Sequence, residues 1–600
     1  MPKIRTNRGE VFDAHNESIL QVLRKNGIYL PASCGGKGVC GRCKIKIKEG
    51  TVRTESIDNL SEKEKEEGFV LACLTYCESD LYVDLPEKLI TVEDRISKIK
   101  AEYIEKFFKD NPELYDPPVK RVSLSLYPPS LEDSRADFES LFHILGKRLN
   151  VSPLLAGEIS RSLRDANWRI QLAVSESDIL HVLQSDERIY GIAIDIGTTT
   201  VVLCLVDMEE GKVKNLASCY NSQISYGDDV ITRIIFSVEN PDGLHILRNS
   251  IMNDLNALLE TLEKKGKILF GVISGNTTMC HIFWGLNPEH IRVEPYVPIF
   301  SRYPIWKAHE TLLNIKNSAP LYTLPSVAGF VGGDIVAGVL FSGMYESEEV
   351  CLFIDIGTNG EIVLGNREFL LTASTSAGPC FEGSGISCGM RATEGAVESF
   401  QYFKDTDSFK VKVIGNRNCR GICGSGMIDI LYELYKSEVI DKRGRFVPDS
   451  SSHLSRVNDE WRFLINETCY ITQSDLDNII RAKAAIYAGV ETLLREVGMD
   501  KKDIQKVYIA GGFGEFLDVK KAISIGMIPN LPVEKYSFLG NSSLAGAVMC
   551  LLSNELREKA EEIAKGMTYI DLSSSKFFMD EYVASLFIPH TDESKFIRFE

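Results

Sequence analysis

The spacing of apolar positions changes character along the chain, and those changes mark its organisation. Near the N-terminus the runs are short. Lys3–Thr6 and Glu10–Ala14 predict two strands joined across Asn7-Arg8-Gly9, a glycine-containing turn. Ile19, Leu20, Val22 and Leu23 have helical spacing, whereas Lys44–Lys48 alternates Lys-Ile-Lys-Ile-Lys, the period of a strand with one buried face. Leu81–Leu85 adds a short strand, and the charge run Ser61–Glu67 reads as a solvated helix face. Together these predict a small sheet domain over residues 1–92. Residues 93–120 are charged and then broken by Asn111-Pro112 and Pro117-Pro118, which predicts a linker, helical at first and extended at the prolines. Residues 121–187 alternate (Val122, Leu124, Leu126) and then turn helical (Phe138, Leu141, Leu145, Leu149), a small α+β middle domain. From residue 188 to 600 β-branched strands, Gly-rich turns and amphipathic helices predict α/β architecture, with Leu247, Ile251, Leu255, Leu258 and Leu262 on one helix face before the strand Ile268–Ile273.

Composition narrows the function classes. At roughly 150 residues per domain, 600 residues predict about four domains. The net charge of −17 argues against nucleic-acid binding, which needs a basic footprint, and against anionic membrane surfaces. No apolar run approaches the roughly 18 residues of a membrane span, and Met1–Glu10 lacks the apolar core of a signal peptide. A cytoplasmic protein is therefore expected. In that reducing compartment the 15 cysteines are expected to bind metal or to pack as small apolar side chains.

Three cysteines cluster. Cys34, Cys40 and Cys43 are spaced C-x5-C-x2-C in a Gly-rich stretch, and Cys73 follows after 29 further residues. Three thiolates on one loop and one distant thiolate suit a 2Fe-2S cluster, and the glycines let backbone N–H groups turn toward the sulfurs. Zinc is the rival, but its sites favour two close cysteine pairs and only one is present. At these residues the segment resembles the ferredoxin family, in its members with five residues between the first two ligands. That resemblance implies a β-grasp fold and favours Cys73, within Leu-Ala-Cys, over Cys77 as fourth ligand. Cys419 and Cys423, spaced C-x3-C, lack nearby ligand partners in sequence and are not expected to form a second metal site.

Three Gly-rich segments mark a nucleotide site. Asp195-Ile-Gly197-Thr198-Thr199 and Asp355-Ile-Gly357-Thr358-Asn359 each read as strand, tight turn, strand, 160 positions apart, as if a half-domain were duplicated. Glycine permits close backbone approach, Thr hydroxyls and turn N–H groups hold phosphate oxygens, and the Asp carboxylates can hold Mg²⁺. The third segment, Val507 to Glu515, is a strand entering the turn Gly511-Gly512-Phe513-Gly514, suited to lie against an adenine and ribose. No Walker signature and no strand-linked dinucleotide fingerprint is present. The segments together resemble the superfamily of acetate and sugar kinases, heat-shock ATPase chaperones and actin. That resemblance implies a two-lobed ATPase over residues 188–600 with lobes divided near 345, and places Asp334 on a connecting helix, able to position Mg²⁺ or the attacking water. The small residues Ala482, Ala484, Ala485, Ala488 and Gly489 predict a second helix crossing closely between the lobes.

A ferredoxin domain fused to this ATPase resembles the reductive activators of corrinoid proteins. The segments Asn221 to Arg233, Gly275 to His281, Pro295 to Pro298, Ser376 to Pro379 and Gly421 to Gly426 carry the resemblance. It implies ATP-dependent one-electron reduction of Co(II) to Co(I) in the corrinoid protein of a methyltransferase system, supplied by an external low-potential electron donor, with a homodimer left open. The alternatives are an ATP-driven activator of a radical dehydratase or reductase, a redox-regulated ATP-dependent binding protein, and a small-metabolite kinase.

Overall fold

The computed structural model describes every residue except 1, 8, 15, 27, 29, 31–42, 57–59, 61, 86–100, 263, 265, 458, 513–516 and 597–600. The N-terminal hairpin forms as its pattern predicts, with Lys3–Thr6 antiparallel to Val11–Asp13. Lys3–Thr6 also runs parallel to Leu81–Asp84, which pairs with Lys44–Glu49, so the alternating lysine strand lies inside a five-stranded sheet. Its buried side, with Ile4, Ile45 and Val83, packs on Ile19, Leu20 and Leu23 of the helix Ile19–Lys25. This mixed sheet with one helix across it has a core drawn entirely from residues 4–85.

Residues 101–120 are docked on the large C-terminal unit. The helix Ala101–Asp110 buries Ile104 and Phe108 in the same core as Leu340, Phe341 and Leu544. Beyond it the Asp116 N–H donates to the Leu552 carbonyl at 3.1 Å, and Asn554 donates to the Asp116 carboxylate at 2.7 Å. The strand Lys120–Ser125 then joins Arg169–Val174 and Ile179–Val182 in an antiparallel sheet covered by the helices Asp137–Leu145 and Pro153–Asp165, an α+β unit with its own core.

The C-terminal unit contains two sheets of one topology. In the first, Arg188–Ile196, Thr200–Asp207 and Lys212–Tyr220 form an antiparallel meander, and Gly266–Gly275 and Pro320–Thr323 add in parallel beside its first strand. In the second, Cys351–Ile356, Gly360–Gly365 and Leu370–Thr375 repeat the meander, and Lys506–Ala510 and Tyr536–Gly540 repeat the parallel additions. These strands are apolar on both faces because both faces are covered. The two halves differ at their outer edges, where Trp306–Lys307 adds antiparallel to the first sheet and Met567–Tyr569 adds parallel to the second.

Two helices join the lobes, Gly333–Ser342 and Ser542–Leu552. They cross so closely that a Cβ on Gly546 would lie 2.2 Å from the Ala337 carbonyl oxygen, and one on Gly338 would lie 2.5 Å from the Phe353 ring. This corrects the expectation for residues 482–489. Gln473–Glu496 packs within the second lobe, on the helix Lys576–Ser585 and on strands where Gly489 faces Thr375 and Ile362, and does not run between the lobes. The helix Ser542–Leu552 returns from the second half of the chain to pack in the core of the first lobe. Among the described residues no helix is long and apolar enough to cross a membrane.

Candidate functional site

The topological repeat brings the two Asp-Ile-Gly-Thr turns face to face. Each turn is closed by its own backbone, with Gly197 N–H donating to the Thr200 carbonyl at 2.9 Å and Gly357 N–H to the Asn359 carbonyl at 3.0 Å. Their threonines meet across the lobes with Thr199 Oγ1 and Thr358 Oγ1 3.2 Å apart. Both hydroxyls donate to Glu382 Oε2, at 2.8 and 2.7 Å. Around this meeting lies a cleft with an empty volume of about 1210 Å³, partly open to solvent. Asp195, Gly197, Thr198, Thr199, Asp334, Asp355, Gly357, Thr358, Asn359, Gly511 and Gly512 all line it. Gly514 lies outside the described residues.

The acids of the cleft differ in their surroundings. Asp195 accepts from Asn541 Nδ2 at 2.9 Å and from Ser543 Oγ at 2.7 Å, both at the start of Ser542–Leu552. Asp334 stands in the first turn of Gly333–Ser342 and its Oδ1 accepts the Ile335 N–H at 2.9 Å. Burial, then the charge of Asp195, pushes its carboxyl up to about 7. Asp355 is pushed up to about 8 by burial, then by Asp334, Asp195 and Glu382. Glu361, paired across the hairpin from Asp355, is raised for the same reasons, burial first and then Asp334 and Asp355. Carboxylates crowded in this way fit a divalent cation, whose charge removes their mutual repulsion. Gly511, at φ +91°, abuts this group, since a Cβ there would lie 2.9 Å from Asp355 Oδ1.

The first turn is braced from behind by the segment Asn221 to Arg233. Asn221 Nδ2 donates to the Gly197 carbonyl at 2.8 Å, and the Asn221 N–H to the Thr199 carbonyl at 3.0 Å. Arg233 is fully buried and donates to the carbonyls of Gly227 and Thr198 and to Gln223 Oε1. In the segment Gly275 to His281, Asn276 caps the helix Thr277–Trp284 and also lines the cleft. His281 is buried away from the cleft. Its Nε2 accepts the Ile299 N–H at 3.1 Å, which leaves the proton on Nδ1 to reach the Thr277 carbonyl at 2.7 Å.

Of the cluster ligands expected from sequence, Cys34 and Cys40 lie outside the described residues. Cys43 precedes Lys44–Glu49 and Cys73 follows Phe69–Leu71, and these strands pair with Lys44 opposite Leu71. The Ala72 N–H donates to the Cys43 carbonyl at 2.8 Å, so the two cysteines stand at one sheet edge, both buried. Cys77 sits in a separate two-stranded ribbon opposite Val52, and burial pushes its thiol up to about 11, which disfavours the thiolate a metal requires. Two buried thiols brought together in this way, Cys43 and Cys73, fit ligands of an iron-sulfur cluster. Cys419 and Cys423 do not act together: Cys423 donates to the Val397 carbonyl, whereas Cys419 meets Cys469, which also meets Cys388. The two units meet at a described contact, Ser225 Oγ donating to the Leu30 carbonyl at 3.3 Å, within the segment that braces the first turn.

Motif reading missed several cleft residues. Asn541-Ser542-Ser543 carries a helix-start signal, a capping residue ahead of an apolar run, but nothing local aims it at Asp195. Glu382 lies three residues past Pro379, and Arg391 has no sequence signal.

Comparison with known proteins covers nearly the whole chain. A 2Fe-2S iron-sulfur cluster binding domain matches residues 5–78, the RACo linker region 109–188, the RACo middle region 190–347, and the C-terminal domain of RACo, the ASKHA domain, 349–600. The corrinoid activation enzyme RamQ of Eubacterium limosum is 31% identical over 604 residues, covering 96% of this chain and 97% of that protein. The [Co(II) methylated amine-specific corrinoid protein] reductase of Methanosarcina barkeri is 25% identical over 453 residues, covering 66% of this chain and 76% of its own. The solved reductive activator for corrinoid, iron-sulfur protein superposes with a TM-score of 0.75 at 38% identity, over 99% of this chain and 100% of that one. With the iron-sulfur domain, linker, middle region and ASKHA domain matched in order along it, the chain belongs to the RACo family of corrinoid reductive activators.

Proposed function

We propose that the chain couples hydrolysis of Mg-ATP to the one-electron reduction of Co(II) to Co(I) in the corrinoid protein of a methyltransferase system. Its cofactors are a 2Fe-2S cluster, ATP and Mg²⁺, in keeping with the domains it matches. The observation that carries the coupling is the meeting of two phosphate-type turns from two lobes, their hydroxyls 3.2 Å apart, in a chain with its own iron-sulfur unit. The cluster supplies a one-electron relay between an external low-potential donor and the cobalt. Thiolate ligands of this kind suit a reducing, cytoplasmic setting.

Within the cleft, Thr198, Thr199, Thr358 and the turn N–H groups bind phosphate oxygens. Asp355 and Asp334 orient Mg²⁺ and the attacking water. Mg²⁺, when bound, would take oxygen ligands from these carboxylates together with phosphate and water. Asp334, whose Oδ1 accepts the Ile335 N–H, would position the attacking water and could take its proton. Asp195, held by Asn541 and Ser543, ties the first turn to the helix Ser542–Leu552. Contacts to phosphate that exist in only one lobe arrangement shift the population toward it, which is how hydrolysis acts on a partner. A one-electron equilibrium moves tenfold for about 59 mV, so a modest change in cobalt environment decides whether reduction proceeds.

The test is anaerobic Co(I) formation followed beside phosphate release. Cys73→Ser should abolish ATP-dependent Co(I) formation yet still hydrolyse ATP. Asp355→Ala should keep a reducible cluster, lose hydrolysis by about a hundredfold or more, and reduce cobalt no further with ATP than without it. Full ATP-driven reduction by Cys73→Ser would defeat the proposal.

A further inference from the structure

We propose that Arg391 is the cationic receptor of the nucleotide's terminal phosphate; this rests on the ATP reading of the cleft. Arg391 lines the cleft and is only 9% exposed. Its Nη2 is buried without a hydrogen-bond partner. A buried, unsatisfied guanidinium N–H is costly unless function requires it. The side chain is nonetheless held firmly, with Cζ 4.0 Å from the centroid of the Tyr220 ring. That contact holds the guanidinium while Nη2 keeps its N–H groups for a ligand, and a planar fork suits a phosphate.

The surroundings identify an anion as the ligand. Arg391 is the only lysine or arginine among the described residues that line the cleft, against the carboxylates Asp195, Asp334, Asp355, Glu361 and Glu382. The nearby Glu382 carboxylate accepts from Thr199 and Thr358. A triphosphate entering among these acids needs positive charge beyond that of one divalent ion, and Arg391 supplies it as a fixed group.

Strand register places Arg391 at the first phosphate-type turn. Tyr220 pairs with Thr200, and the Asn221 N–H donates to the Thr199 carbonyl, so Arg391 lies over the first Asp-Ile-Gly-Thr turn. The Gly511-Gly512 turn follows a strand of the opposite lobe. Arg391 follows the second-lobe strand Leu370–Thr375 in the chain, yet its head stacks on a first-lobe tyrosine. It therefore spans the cleft at its phosphate end, where the terminal phosphate of ATP, absent from ADP, would meet it.

The test uses the full, cluster-loaded chain with Mg²⁺ and compares a non-hydrolysable ATP analogue with ADP by calorimetry. Arg391→Gln should weaken the analogue by roughly ten- to a hundredfold, the worth of a charged hydrogen bond, while ADP changes by less than about threefold. Arg391→Lys should recover part of the preference, keeping the charge without the planar fork. An unchanged preference, or equal weakening of both nucleotides, overturns the assignment. If Arg391→Gln does not fold, Tyr220→Leu, which releases the guanidinium but keeps its charge, should reduce the analogue-to-ADP preference in the same direction, and a preference equal to wild type overturns it. Failure of the wild type to bind either nucleotide would instead refute the ATP reading itself.

Discussion

At the residue scale, the chemistry of the cleft follows from how unevenly the protein neutralises its own carboxylates. Asp195 has two donors from Asn541 and Ser543, whereas Asp355 is surrounded by burial and three acids that raise its proton affinity. Such a group is costly to the fold in the absence of a cation and is retained for function. Asp355→Asn should therefore stabilise the chain in chelator by about 1–3 kcal/mol while abolishing hydrolysis, read as a raised thermal midpoint beside phosphate release. Equal or lower stability would show that the crowding costs nothing. His281 has the opposite dependence. Burial holds its imidazole below the ordinary 6.5. The unfolded chain therefore takes up the proton first as pH falls, so the stability it contributes is complete above about 6.5 and is lost below that value toward the folded pKa. Protonation places a hydrogen on Nε2 against the Ile299 N–H. Amide exchange at Ile299, corrected for its intrinsic rate, should thus accelerate between pH 7 and 5 in the wild type, and a flat profile would contradict this role.

At the scale of elements, the helix Ser542–Leu552 does three things through its first turn and one glycine. Asn541 caps it, accepting the Leu544 N–H at 2.8 Å, and the same side chain donates to Asp195. Gly546 lets it cross Gly333–Ser342, the helix that carries Asp334. A methyl there meets backbone, which cannot swing aside as a flexible side chain could. Gly546→Ala should cost about 1–3 kcal/mol by overpacking and displace Asp334 relative to Asp195, lowering hydrolysis even where the fold survives. Wild-type stability and turnover in this variant would mean that the helices have slack at their crossing.

At the scale of the molecule, the iron-sulfur unit and the lobes have separate cores, one confined to residues 4–85 and the others built from residues beyond 100. Two thermal transitions are expected, and Cys73→Ser should lower the first by several degrees while leaving the second, nucleotide-stabilised one within about a degree. A single transition that shifts as a whole would show that the units fold as one. The contact from Ser225 to Leu30 lies in the segment whose Arg233 and Asn221 hold the first phosphate turn, so nucleotide and cluster units share a neighbour.

Much of this protein is written locally. The Lys-Ile alternation, the cysteine spacing and the duplicated Asp-Ile-Gly-Thr turns each depend on residues a few positions apart, because strand period, thiolate clustering and turn geometry are short-range properties. From them the order of units and the aspartates of the cleft follow, and the family match agrees with that order. The small-residue stretch at 482–489 reads the same whether its partners lie in the other lobe or its own, and only packing placed them in its own. Asn541 and Ser543 reach Asp195 from about 350 residues away, Glu382 joins threonines from two lobes, and Arg391 crosses the cleft to a tyrosine on the opposite lobe. None of these pairings is set by a local pattern, since each depends on two sheets closing on one another. The sequence by itself determined which chemical groups are available and on which turns they sit. The tertiary structure alone decided which of them face each other, because burial and charge across a cleft arise only once distant segments share one dry space.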